Sequence, residues 1–362
     1  MNIFERLKRT FRANKGLRLA LTLTVSLSAY LILRWGFRFI QSESAPKAAV
    51  TVVAVLLGVL GAWVLFWVLN NLVECIPHKR IKETLQPFAF VGPAILLLFA
   101  FQVYPTVNTI IISFFGDRSE EFVGLANYKF IFTTDDILLA FRNNLGWLVI
   151  VTSVTVALGL LVAVLADRVR FESAAKSTIF LPMAISFVGA SVIWKFVYAY
   201  RPPGDPQIGL LNAIITSLGE RPRGWLIHPP TNSLYLMAIM IWMQAGFSVV
   251  VLSAAIKGVP NELTEAARVD GANGFQIFFK ITLPYIRGSI ITVATTIAIS
   301  VLRVFDIVYV MTNGEFDTEV IANRMYVEMF NFRNFGNAGA LAVILLLAVT
   351  PVMIINIRNL RQ

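Results

Sequence analysis

The sequence predicts an all-α polytopic membrane protein of about eight transmembrane helices, and three observations predict it. Of its 362 residues, 57% are hydrophobic and 14% are charged. Soluble domains average roughly 45–50% apolar and about 25% charged. The apolar residues fall in long runs, each near the ~20 residues that cross a bilayer core. The basic residues alternate with those runs as a membrane topology requires.

Eight spans are expected, at about 17–40, 48–74, 87–115, 143–166, 177–200, 233–256, 288–310 and 337–357. Before the first lie Arg6, Lys8, Arg9, Arg12, Lys15 and Arg18, with Glu5 as a lone acid. The apolar run that follows is too long for a signal peptide and has no small-residue cleavage site after it. It reads as a retained span with a basic arm. Trp35, Trp63 and Trp67 on the first two spans read as lipid-facing or packing aromatics. With the N-terminus inside, the inner segments hold 18 Lys and Arg and the outer segments nine, or eleven if Arg34 and Arg38 are added. Inside wins either way, so both termini are expected on the cytoplasmic face.

The outer loops at 116–142 and 201–232 are short. Proline clusters at Pro202-Pro203 and Pro229-Pro230 break helix and stiffen turns. Between them, Ile208 to Leu218 is expected to form a short amphipathic helix. Lys195, near the outer end of its span, is expected to snorkel.

The same counts exclude several functions. The net charge of +10 is accounted for by the membrane topology, so no nucleic-acid partner is implied. The single cysteine, Cys75, rules out an intramolecular disulfide and a cysteine-metal cluster. His78 and His228 are too isolated in sequence to suggest a zinc site.

One stretch between the sixth and seventh spans is polar: residues 258–287, GVPNELTEAARVDGANGFQIFFKITLPYIR. Asn261 is a good N-cap, with Glu262 and Glu265 expected in the first turn, where the helix dipole favours anions. Glu265, Ala266 and Ala267 are good helix formers. Asp270-Gly271 is a turn signal, because glycine accepts positive φ. A second short helix is expected from about Asn273 to Lys280, with Phe275, Phe278 and Phe279 on or near one face. Leu283-Pro284 then resets the chain. Such a pair of helices has no lipid reason to exist. It reads either as an ordinary amphipathic loop or as a docking element, where small alanines beside a carboxylate allow close approach and a charge-assisted hydrogen bond.

Glu265-Ala266-Ala267, Gly271 six positions after Glu265, and Ile281 with Leu283-Pro284 resemble the EAA motif of permease subunits of bacterial ABC importers. Asp270-Gly271-Ala272 and Phe278 to Pro284 resemble the carbohydrate branch, of MalF and UgpA type. The loop Arg201 to Ala213 and the segment Asp317 to Asn323 look closest to α-glucoside (AglF-like) permeases, including relatives that take up glucosyl compatible solutes. The resemblance covers about residues 85–362 and implies a six-helix type I importer core, with 1–84 as a basic arm and two extra helices. It implies that residues 258–287 couple to an ATPase through Glu265, Ala266, Ala267, Asp270, Gly271, Ala272, Leu283 and Pro284. No Gly-x-x-x-x-Gly-Lys-Ser/Thr occurs in the sequence, so ATP and Mg are expected on a separate chain and this one is expected to be non-catalytic. The implied partners are a second EAA-type permease, an ABC ATPase dimer, an extracytoplasmic sugar-binding protein and membrane lipid.

The resemblance also places substrate contacts. Aligned on the EAA motif, they fall at Met240, Gln244 and Phe247 on the sixth span and at Ile297, Ser300, Val301 and Val304 on the seventh. The latter four have helical spacing. The family's pattern is richer in asparagine there, where this chain has Val301 and Val304. Arg303 and Asp306 are three apart on the same expected span. They read as a self-neutralising structural or gating pair, or as a contact to the partner permease, ahead of sugar ligands. An ion-coupled transporter is the competing reading, with Asp306 as its coupling carboxylate. A membrane-embedded enzyme would need a catalytic cluster that the sequence does not assemble.

Overall fold

The computed structural model describes residues 15–42, 45–166 and 172–359. The basic arm before Lys15 and the positions Arg168, Arg170 and Arg361 lie outside them. No named β-strand occurs among the described residues; one isolated bridge pairs Phe115 with Phe122. The chain forms two compact units, Met1–Thr106 and Val107–Gln362.

The first unit holds α1 (Lys15–Ile40) and α2 (Lys47–Cys75) and most of α3 (Lys79–Ile112). α1 and α2 pack as an antiparallel hairpin. Arg18 at the start of α1 is paired with Glu74 at the end of α2. The apolar residues lie on every side of these helices, the pattern of a helix dissolved in lipid. Trp35 and Trp63 are both 67% exposed. α3 contains one wide π turn, Phe99–Val103, in which Tyr104 N–H reaches back to Phe99 O. Pro105 follows directly; a proline removes an N–H and crowds the carbonyl four residues back, and the wider turn relieves that.

In the second unit, short α4 (Ala126–Thr133) precedes α5 (Asp135–Ala166), which packs along α9 (Thr231–Lys257) and α12 (Arg287–Leu302). Every third or fourth residue of α5 from Ile137 to Ala166 is buried. Small residues set the closest approaches, as in membrane bundles generally. A Cβ on Gly159 would lie 1.9 Å from Ser248 Oγ. Around these helices Trp147, Leu236, Met240, Ile297 and Val301 form the core.

Two expected spans are not single helices. The fifth consists of α6 (Glu172–Ala184) and α7 (Phe187–Tyr198), bent by 103°. Pro182 lies in a tight turn, Ile185 is extended, and Ser186 caps α7 by accepting from Gly189 N–H at 3.0 Å. The seventh was expected over 288–310. Its helix α12 ends at Leu302, and Arg303 and Phe305 leave helical geometry (Phe305 φ −139°, ψ −62°). Asp306 opens a new helix, α13 (Asp306–Met311). A carboxylate at a helix start faces free N–H groups, which favours that site over mid-helix. The eighth span, α15 (Phe335–Asn359), is continuous through Pro351. α8 (Leu210–Ser217) is the expected short helix after the fifth span.

Candidate functional site

Residues 258–287 fold as two helices around a tight turn. α10 (Asn261–Val269) is capped by Pro260, not by Asn261, which is its first helical residue. Glu262 is therefore in the first turn and Glu265 in the second. Asp270 ends the helix, and Gly271 turns the chain with φ +86° and open space where a Cβ would stand. α11 (Gly274–Tyr285) starts at a reciprocal cap: Gln276 N–H donates to Asn273 Oδ1 and Asn273 N–H to Gln276 Oε1, both at 2.9 Å. Such a box satisfies two otherwise orphaned donors. Its middle widens into a π turn, Phe278–Thr282, just before Leu283-Pro284. Pro284 thus does not end the helix; the chain breaks two residues later at Ile286, with α11 and α12 bent by 68°.

One side of this pair faces the protein, where Ile277, Thr282 and Ile286 are buried. The other is open. Glu265, Ala266, Asp270, Gly271 and Pro284 are exposed, and Ala267, Ala272 and Leu283 are half-buried. Val269 is 87% and Phe275 73% exposed, and the Phe275 ring lies tilted against Phe279 with centroids 4.4 Å apart. Asp270, Gly271, Ala272, Gln276, Lys280 and Ile281 line a cleft of about 280 Å³. An exposed apolar patch beside carboxylates fits a protein partner.

The expected substrate positions separate into two groups. Met240, Ser300 and Val304 line one cavity of about 40 Å³, together with Arg303, Asp306, Phe187, Phe305 and Ile307. Ile297 and Val301 have no exposed surface and pack in the core. Gln244 and Phe247 are half-buried on α9, outside the cavity lining, and Phe247 packs against the core. Val304 lies beyond the end of α12, so the four positions do not share one helix face. It is the turn after Leu302 that carries Val304 to the cavity.

The same turn separates Arg303 from Asp306. Arg303 is exposed at the end of α12, Asp306 is half-buried at the start of α13, and no ion pair joins the two among the described residues. Spacing of three would have paired them only on a continuous helix. Several contributors were missed by sequence reasoning, Phe305 and Ile307 of the cavity lining among them. Phe187 enters the cavity only because the fifth span breaks there, for which Pro182 and Ser186 were the available signals. A further one is an ionic cluster in which Glu172 accepts from Lys176 and Lys257, while Lys176 also reaches Ser253. Glu172 and Lys176 have the i,i+4 spacing of a helical ion pair, but Lys257 and Ser253 join them only through the packing of α6 on α9.

Six to eight membrane-length helices with two broken spans, a small cavity at one break and an exposed charged helix pair between two spans fit a multi-pass permease subunit. Residues 155–358 match the family described as binding-protein-dependent transport system inner membrane component. The chain belongs to that family. It is 61% identical over 272 residues to the osmoprotective compounds uptake permease protein GgtC of Synechocystis sp., covering 75% of this chain and 98% of that protein. It is 46% identical over 330 residues to the alpha-glucoside transport system permease protein AglF of Rhizobium meliloti, covering 88% and 97%. Among solved structures, a bacterial ABC transporter involved in import of the acidic polysaccharide alginate aligns with TM-score 0.68 at 22% identity, over 78% of this chain and 98% of that one. That likeness supports the fold.

Proposed function

We propose that this permease imports a sugar, an α-glucoside or another glucosyl solute, as one of two permease subunits of an ATP-driven importer. The observation that carries the substrate class is its high identity, over nearly their whole length, to a permease for osmoprotective compounds and one for α-glucosides. The remaining partners are a cytoplasmic ABC ATPase dimer, which holds ATP and Mg, and an extracytoplasmic sugar-binding protein. Both termini lie in the cytoplasm. Residues 85–362 form the importer core, and 1–84 are an addition to it.

In this reading residues 258–287 are the coupling element. Their charge, exposure and turn at Gly271 support that role, since nothing in a bilayer requires a charged helix pair between two spans. ATPase closure would press on α10 and α11 and tilt α9 and α12, exposing the cavity first to the loaded binding protein and then to the cytoplasm. The test is uptake by proteoliposomes carrying the full complex. Accumulation is expected only with internal ATP and external loaded binding protein. Accumulation driven by a proton gradient alone would instead favour ion coupling through Asp306.

A further inference from the structure

Four aromatic rings form a short column three layers deep: Phe330, then Tyr326, then Phe305 and Tyr309 together. Phe330 is 4.8 Å from Tyr326, and Phe305, Tyr309 and Tyr326 form a triangle with centroids 5.0, 5.0 and 5.4 Å apart. The rings come from two places in the chain: Phe305 and Tyr309 lie one helical turn apart on α13 and its cap. Tyr326 and Phe330 lie one turn apart on α14 (Ile321–Tyr326) and the π turn Val327–Asn331 that follows. The two tyrosine hydroxyls stand 3.5 Å from each other.

Both ends of the column are informative. At one end Phe305 lines the cavity that holds Ser300, Arg303 and Asp306. At the other, Phe330 is 60% exposed, in the connection between the seventh and eighth spans. In the topology proposed above, that connection faces away from the cytoplasm. Tyr309, beside Phe305 at the cavity end, is 38% exposed. Rings serving only as core would be buried throughout. Rings serving only as an interfacial belt would not lead to a charged cavity. The cavity itself, at about 40 Å³, is far below the roughly 300 Å³ at which ligand pockets begin. In this conformation the cavity is too small for a sugar ring, and the exposed surface next to it is aromatic.

We propose that the column is a track for a pyranoside. The apolar C–H face of the sugar stacks on Phe330, Tyr326 and Tyr309 in turn, and its hydroxyls are taken up by the tyrosine hydroxyls and then by Ser300, Arg303 and Asp306. Aromatic faces suit this because they offer apolar area at low entropic cost while the sugar edge stays hydrogen-bonded. The inference rests on the sugar-importer reading above.

The experiment uses the complete transporter with methyl α-glucoside, maltose and sucrose as probes. Wild-type import of none of these would remove the sugar reading, and the track with it. Given wild-type import, Tyr326→Leu and Phe330→Leu are each expected to slow uptake about tenfold at saturating binding protein, roughly the worth of one aromatic stack. Tyr326→Phe, which keeps the ring, should fall between wild type and Tyr326→Leu. The second permease and the ATPase should copurify with every variant. A Tyr326→Trp complex should change its fluorescence with methyl α-glucoside and not with equimolar mannitol, which has hydroxyls but no ring. Unchanged uptake in both leucine variants overturns the track. Loss of the second permease from them also overturns it, and makes the column a seam between subunits.

Discussion

Lys257 Nζ lies 2.7 Å from Oε1 and 2.9 Å from Oε2 of Glu172. The first residue of α6 is thereby held to the last residue of α9, one position before the polar loop begins. Lys176 completes the cluster by binding the same carboxylate and Ser253 of α9. Glu172→Gln would leave two lysines side by side without their shared counter-charge. In the coupling reading, sugar imported per ATP hydrolysed should fall several-fold, with hydrolysis retained. High salt, which shortens the screening length to about 3 Å at 1 M, should mimic the variant in the wild type. An unchanged transport-to-hydrolysis ratio would remove the cluster from transmission.

Gly271 adopts φ +86° with nothing within 4 Å of an added Cβ. The cost of substitution there is backbone alone, about 1–2 kcal/mol for Gly271→Ala. Gly271→Asn should be milder and Gly271→Val worse. Gly271→Pro, which cannot reach positive φ, should abolish uptake while membrane insertion stays intact. Normal uptake by that variant would sink the coupling assignment.

Gly246 lets α9 lie against the backbone of α6. A Cβ there would stand 2.6 Å from both Ile179 O and Phe180 Cα. Backbone cannot swing aside as a side chain can, so Gly246→Ala should destabilise by roughly 1–3 kcal/mol. Gly58→Ala, with nothing within 4 Å, is the control. Thermal unfolding in detergent should show a lower midpoint for the first and not the second.

Asn144 is buried and accepts from Ile321 N–H at 2.8 Å, fastening α5 to the start of α14. Asn144→Ala orphans a buried donor at a cost of about 1–3 kcal/mol. Faster hydrogen exchange at Ile321 and its neighbours would report the loss; native protection in the variant would contradict it.

Glu319, in the connection between α13 and α14, accepts from Asn323 Nδ2 at 2.8 Å and Val320 N–H at 3.0 Å. Burial nevertheless pushes its carboxyl above the ordinary glutamate range. A raised folded value means the native state holds this proton more tightly than the unfolded chain. Its stabilisation is full below the unfolded value and is lost as pH rises through the folded one. Glu319→Gln should flatten that slope in thermal unfolding measured from acid to neutral pH. An identical slope in the two proteins would refute the assignment.

The membrane class and the polar loop were legible because each rests on local composition. Twenty apolar residues in a row have few alternatives to a span, and a helix–turn–helix between two spans stands out against them. The turn at Asp270-Gly271 was equally readable, since glycine is the residue that takes positive φ freely. Its capping was less so. Asn261 carried a good capping side chain, yet the helix starts one residue earlier. The reciprocal cap between Asn273 and Gln276 depends on a geometry that spacing alone leaves open.

The substrate region shows where local reasoning stops. Ile297, Ser300, Val301 and Val304 share a helical spacing, and Arg303 and Asp306 are three apart, so a continuous seventh span would have aligned them all. Ile297 and Val301 pack in the core from α12 itself, and the backbone departure at Arg303 carries Val304 to the cavity and separates the two charges. Phe187 and Phe305 reach that cavity, and the aromatic column assembles from positions as distant as 305 and 330, through the same breaks. By itself, the sequence determined the solvent of each segment, because hydropathy is summed residue by residue along the chain. Only the tertiary structure decided which side chains meet, because a break of two or three residues rotates everything beyond it and packing against other helices sets the result.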